Sequence, residues 1–481
     1  MRNFERNRSI QEMIKIPKLD LYDYIQHNIR WLKWVIVLIV LGIMVGVGFL
    51  ASNFNPIYIS VASVGAVIAF TGLLFINKFE LLPVFILAVA IFVPVTLPTG
   101  TGSRLAISML IEILFVGLWV LRSMTVHKRF SIRPSPINYP LAGFSIVIIV
   151  SVVWSMIFRD PFVFVPPTFI IVQIASALVM ILLPVALLMV GNFIENVTPL
   201  LIMTVMMLIA GVLGLIKDFA GIPLPVDNRG LFSLWVMALS FGLALFIKNL
   251  HWIVRVLLLI LTAVWIYWNF IINVSWLAGW LPAMIALAIL AWMRSKKLSV
   301  IFAILLLGIF LSNKDYYLGK VLQNESQESG YTRLAAWEAN WRITKEHLLL
   351  GTGPAGYAVY YMTYFPTDAM ATHSNYVDMV AQTGIIGTVF FVWLFGTLFW
   401  MGIRLCLRLR GRGDFVEALA NISFAGTCAC IIIMAFGDWL FPFAYTQTIE
   451  GFNYAVYNWL FMGVILALDH LYPTTVEGRN G

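Results

Sequence analysis

The feature that most constrains this chain is its succession of apolar segments, about 14 in number, each close to the roughly 20 residues a helix needs to cross a bilayer. Backbone amides in lipid have no water to bond, so such segments close their hydrogen bonds internally as helices. The segments lie at 34–50, 57–76, 81–97, 105–121, 141–158, 169–190, 199–216 and 231–247, then at 252–272, 276–293, 298–311, 376–402, 418–436 and 454–468. Only 11% of residues are charged and mean hydropathy is +0.91, against about 25% charged in a soluble domain, so lipid is the solvent for most of the chain. The expected fold is all-α, a polytopic membrane bundle of about 14 (12–14) transmembrane helices with one large extracytoplasmic loop domain.

Charge sets the expected orientation. With the N-terminus inside, 22 of the 31 Lys and Arg residues fall on the cytoplasmic side and nine outside, five of those nine in one long loop. The expected organisation is a cytoplasmic N-terminal segment over 1–33, eleven helices over 34–312, an extracytoplasmic loop over 313–375, three helices over 376–470 and a cytoplasmic tail over 471–481. The first apolar run follows some thirty polar residues, which reads as an uncleaved anchor rather than a signal peptide. The net charge of +8 then reflects inner-face loops and implies no nucleic-acid partner. Cys406, Cys428 and Cys430 lie in or beside late apolar runs and form no disulfide framework or metal pair.

The long loop gathers the polar chemistry, because of six histidines only His347 and His373 fall on the outer side. A helix is predicted over 331–347, with Arg333, Trp337, Trp341 and Lys345 on one face and Glu338 four residues before Arg342 in the favourable order for an ion pair. Arg333 in that position suits a bidentate phosphate contact, and the tryptophans suit sugar or lipid. The following GTGPAGY has no Walker ending and reads as a tight turn, with tyrosines including Tyr361 after it. His373 stands at the outer mouth of the 376–402 helix and is the candidate general base. Gly384 and Gly387, one turn apart, read as a place where a neighbouring helix comes close. Arg229 ends an outer loop and needs a partner, either a diphosphate or a carboxylate such as Asp218 or Asp227. Glu112, inside an apolar run, is a further candidate. The outer segments carry no HExxH, Walker A, DxD or His/Cys cluster, so no metal or cofactor is expected.

The run of Arg333, Trp337, HLLLGTGPAGY, His373-Ser374, nine residues, Gly384, two residues and Gly387 resembles the O-antigen ligase/polymerase superfamily. The resemblance implies an inner-membrane glycosyltransferase with both termini cytoplasmic and its active site on the outer face. Such an enzyme moves a glycan from an undecaprenyl-diphosphate carrier to a glycan or lipid acceptor, without a metal. By position it implies His373 as base, with Arg333 and Arg229 on the diphosphate. Trp337, Trp341, Tyr361 and Asn375 would then face sugar or acceptor, supported by Glu338, Gly384 and Gly387. Where many members carry Ser-Arg, this chain reads Asn273-Val274-Ser275-Trp276, and Lys217 is assigned the missing arginine's share. The competing expectation is a polytopic transporter or flippase of lipid-linked glycans, for which Glu112 is the clearest mid-membrane ionisable residue.

Overall fold

The computed structural model describes residues 78–98, 104–125, 132–273, 277–312, 314–316, 318–319, 330–366 and 371–473. The expected 1–33 segment, the 34–50 and 57–76 spans and most of the 471–481 tail lie outside the described residues. The described part is mostly helical. In chain order it comprises α1 (Leu82–Phe92), β1 (Thr96–Pro98), β2 (Arg104–Ala106), α2 (Ile107–Thr125), α3 (Asn138–Ile157), α4 (Phe169–Phe193) and α5 (Thr198–Ala220). These are followed by α6 (Phe232–Phe246), α7 (Trp252–Ile266, continued by one π-helical stretch, Tyr267–Ile272) and α8 (Leu277–Arg294). The remainder is α9 (Lys296–Ser312), α10 (Gly330–Thr344), α11 (Tyr357–Tyr364), α12 (Asn375–Leu409), α13 (Phe415–Ile433) and α14 (Phe452–Leu471).

Eight helices among the described residues are long and apolar enough to cross a membrane, and three shorter apolar helices accompany them. Two expected spans are shorter than their apolar runs. The 81–97 run breaks at Phe92, because Thr96–Pro98 pairs antiparallel with Arg104–Ala106, a small hairpin the all-α expectation did not include. The 231–247 run gives α6, whose 15 residues span about 22 Å, less than the roughly 30 Å of a hydrocarbon core.

The bundle is organised around α14, in which every residue from Phe452 to Leu468 is buried. It packs most extensively on α4 and also touches α1, α2, α12 and α13. The outer helices turn large apolar side chains outward, among them Ile146 and Val153 of α3 and Leu257 and Ile260 of α7. A surface of that kind calls for lipid.

The expected role of Gly384 is corrected here. It does not seat a neighbouring helix. Its backbone is non-helical (φ 66°, ψ −168°), and α12 breaks there into a short outer piece and a long apolar one. The break frees two carbonyls and two amides, all of them re-paired with the turn after α10. Ile385 and Ile386 donate to the carbonyls of Leu348 and Leu349. Thr352 and Gly353 donate to the carbonyls of Ala381 and Gln382. Polar residues of α3 and α4 complete the junction. Ser151 Oγ shares its proton between the carbonyls of Leu350 and Gln382, and Gln173 Nε2 donates to the carbonyl of Thr352. Buried backbone groups are thus satisfied across the break. Gly387 does face a neighbour, since a Cβ there would lie 3.3 Å from Val147 of α3.

A Cβ at Gly384 would overlap the Leu349 carbonyl and lie 2.5 Å from the Leu350 amide nitrogen, in a backbone region open almost only to glycine. Gly384→Ala is expected to destabilise the folded protein by more than about 2 kcal/mol, seen as a lowered thermal unfolding midpoint in detergent micelles. Gly396→Ala, where a Cβ meets nothing within 4 Å, is expected to leave that midpoint unchanged or raised.

Candidate active site

His373 lies one residue before the N-cap of α12, eleven residues ahead of the break at Gly384. His373 has φ 49°, a left-handed backbone that non-glycine residues adopt rarely. Contacts on either side hold it there. The Trp337 indole donates to the Thr372 carbonyl at 2.7 Å, tying α10 to the loop. The Thr372 hydroxyl donates to Asp378 at 2.6 Å, and Tyr357 of α11 donates to the same carboxylate oxygen at 2.6 Å. The Asn375 amide donates to the carbonyl of Met434 at the end of α13. Such strain is kept only where the surroundings over-determine it, and it concentrates at functional sites.

The imidazole faces a carboxylate that the sequence reading did not single out. His373 Nδ1 lies 4.0 Å from Asp438 Oδ1, an ion-pair rather than a hydrogen-bond distance. Asp438 is buried while the His373 side chain is 42% exposed, so the ring stands between a buried carboxyl group and open space. Burial pushes the Asp438 carboxyl upward in pKa, and the neighbouring His373 offsets part of that rise. Gln447 Nε2 donates to Asp438 at 2.6 Å. The buried carboxyl group stands on the Nδ1 side, which leaves the other ring nitrogen to exchange a proton.

From Asp438 a series of contacts leads to Arg229. Gln447 accepts from the Tyr454 hydroxyl at 3.0 Å, and the Arg229 guanidinium lies 4.9 Å from the centre of the Tyr454 ring. The structure therefore brings Arg229 and His373 into one network. Arg229 has carboxylate partners of its own. It grips Asp227 through two nitrogens at 2.9 and 2.8 Å and Glu450 through a third at 2.9 Å. Its hydrogen bond to Asp227 raises the guanidinium pKa against the opposing effect of burial. Burial pushes Asp227 upward, but the bonds and charge of Arg229 bring it below the ordinary carboxylate value. Asp227 was one of the two partners the sequence offered, while Glu450 comes from a distant segment. Lys217, at the end of α5, donates to the Val226 carbonyl at 2.8 Å and to Asn228 Oδ1 at 3.2 Å. It bonds to the loop that carries Arg229.

The other candidates separate into exposed and structural groups. Arg333 lies on α10, four residues before Trp337, with its side chain outside the described residues. Trp341 is 56% exposed on the same helix, and Glu338 pairs with Arg342 at 2.7 Å. Two expected sugar contacts are corrected by burial. Tyr361 is buried, and its hydroxyl donates to the Ala336 carbonyl, bracing α11 against α10. Asn375 is also buried. Its side chain donates to the Phe441 carbonyl at 2.8 Å and accepts from the amides of Leu440 and Phe441, which fastens the segment bearing Asp438. The glycine turn is likewise not a phosphate loop in this structure, because the amides of Thr352 and Gly353 are spent on α12. Glu112 is buried on α2, and neither carboxylate oxygen has a hydrogen-bond partner among the described residues.

No curated protein matches the chain. Residues 228–392, a stretch that holds Arg229, Arg333, His373, Gly384 and Gly387 but neither Lys217 nor Asp438, match the family model described as O-antigen ligase.

Proposed function

We propose that this membrane protein is a glycosyltransferase that moves a glycan from an undecaprenyl-diphosphate carrier to an acceptor hydroxyl on the outer face of the inner membrane. The observation that carries the reading is His373 in its left-handed turn beside buried Asp438, inside the stretch that matches the ligase family. In the reaction the acceptor oxygen bonds to the anomeric carbon as the bond from that carbon to the diphosphate oxygen breaks. The electron pair leaves with the diphosphate, and the acceptor's proton goes to His373. Asp438 holds the imidazole and supports its positive charge while it carries that proton. Arg333, Arg229 and Lys217 offset the charge that grows on the departing phosphates. The Glu450 link of Arg229 lies nearer solvent than its Asp227 link, so a diphosphate would join the guanidinium on the Glu450 side.

Trp341 and the outward face of α10 offer a surface for sugar or acceptor, while Trp337 acts through its grip on Thr372. The alternative of a lipid-linked-glycan flippase has Glu112 in its favour, but it gives no role to the strained His373.

His373→Ala is expected to lower glycan transfer on the order of 100-fold or more, with the protein inserted at wild-type abundance. Arg333→Ala is expected to cause a comparable loss. Full activity of the His373→Ala protein at normal abundance would remove the base from this scheme.

Asp438→Asn separates chemistry from stability. Burial raises the folded-state pKa of Asp438, so its ionised form is disfavoured in the fold. That cost is absent below the unfolded carboxyl pKa and grows as pH rises through the folded value. The asparagine protein is therefore expected to be at least as heat-stable as wild type at neutral pH, with a smaller difference under acid conditions. Its transfer rate is expected to fall at least tenfold, measured with purified protein and lipid-linked donor.

Deletion of the gene followed by analysis of lipid-linked glycans distinguishes the two reaction types. Accumulated single repeats are expected of a polymerase and accumulated long chains of a ligase, while an unchanged profile would contradict both.

A further inference from the structure

A cavity of about 470 Å³ lies where the loop after α3 meets the C-terminal end of α10 and one side of α11. Its lining combines flat apolar rings with balanced charge. Phe158 and Tyr364 are both largely exposed, and the ring of Tyr360 meets that of His347 edge-on at 5.1 Å. Two cations, Arg159 and Arg342, and two carboxylates, Asp160 and Glu346, line it together, Arg342 being paired with Glu338 and Glu346 with Lys345 just outside the lining. Burial lowers the pKa of His347, which favours its neutral form. A hydrogen bond from Tyr364 holds Asp160 below the ordinary carboxylate value, so it is an ionised acceptor. The Nε of Arg159 is buried and has no hydrogen-bond partner among the described residues. A buried unsatisfied donor costs free energy until something accepts from it.

A diphosphate does not match a lining whose charges cancel. Apolar faces flanked by donors and acceptors of both kinds suit a ring with one flat apolar side and several hydroxyls. We propose that this cavity is a saccharide subsite that binds uncharged pyranose units of the glycan, away from the reacting hydroxyl. The assignment rests on the glycosyltransferase reading above.

The geometry connects the two places. On α11, Tyr357 bonds Asp378 beside the His373 loop, while Tyr360 and Tyr364 lie on the cavity. Those positions are three and seven residues apart, about 5 to 10 Å along a helix. On α10, Trp337 holds Thr372 and Arg342 lines the cavity, a step of about 8 Å. In the proposal a short oligosaccharide has one end at His373 and a further unit in the cavity.

The test uses the purified full-length protein in lipid nanodiscs. The probe is delipidated surface glycan from the source cell, and binding is read by saturation-transfer NMR. Arg159→Gln and Tyr364→Ala are each expected to weaken glycan binding at least fivefold, while Tyr364→Phe, which keeps the ring, weakens it less than Tyr364→Ala. Gly396→Ala, outside both places, is expected to bind glycan as wild type does. Unchanged glycan binding in both Arg159→Gln and Tyr364→Ala would overturn the subsite. So would displacement of the glycan by millimolar inorganic pyrophosphate in a manner abolished by Arg159→Gln, since that marks an anion site. Loss of transfer in His373→Ala with intact glycan binding in the cavity variants sinks the subsite alone. Full transfer in His373→Ala sinks the reaction on which it rests.

Discussion

The site depends on one backbone arrangement, the exchange of hydrogen bonds across the break in α12. At Gly384 the helix gives up its own pairing, and the turn after α10 takes both sides of it. Four main-chain bonds, with Ser151 and Gln173 behind them, lock a polar turn into a bundle that has no water to offer. The consequence is geometric. The short piece of α12 above the break is freed from the direction of the long apolar piece; its first residues include Asn375 and Asp378, and His373 lies one residue before its N-cap.

Around that junction the electrostatics divide into two kinds. His373 and Asp438 form a loosely spaced pair, one member buried and the other open, which is the arrangement a base needs if it is to receive a proton and lose it again. Arg229 is the opposite case. It is tied to two carboxylates and stacked on Tyr454, so it is a positioned charge whose field is largely compensated at rest. An incoming diphosphate would shift that balance rather than meet an unpaired cation. Gln447 and Tyr454 lie between the two centres and touch both, through hydrogen bonds from Gln447 to Asp438 and from Tyr454 to Gln447 and through the ring of Tyr454 against Arg229.

Much of this was legible in the sequence, and what was not has a physical reason. Apolar runs announced the helices because lipid permits few other solutions. The 331–347 helix, observed as Gly330–Thr344 plus a single 3₁₀ turn, followed from its four-residue spacing. Gly384 and Gly387 were noticed, but a glycine pair one turn apart reads as close helix packing. The true partner of Gly384 is main chain from far upstream, and main-chain pairing leaves no trace in side-chain pattern. Tyr361 and Asn375 have side chains that suit sugar, yet tertiary packing buried both. Asp438 was missed because it stands alone in an apolar stretch with no motif around it. An acidic residue on the expected outer side, between two spans, was the signal available.

The central claim is that the donor's diphosphate binds at the end of the bundle where α12 begins, beside His373, and not at the basic end where α12 finishes near Arg410. The most direct test is photo-crosslinking of the full-length protein with a photoreactive polyprenyl-diphosphate analogue, with adducts mapped by mass spectrometry. Adducts are expected on the loop bearing Arg229, on α10, or on the segments around His373 and Asp438, and competition by natural donor should remove them. Adducts confined to the Arg404–Arg412 end, with the His373 region unlabelled, would contradict the account.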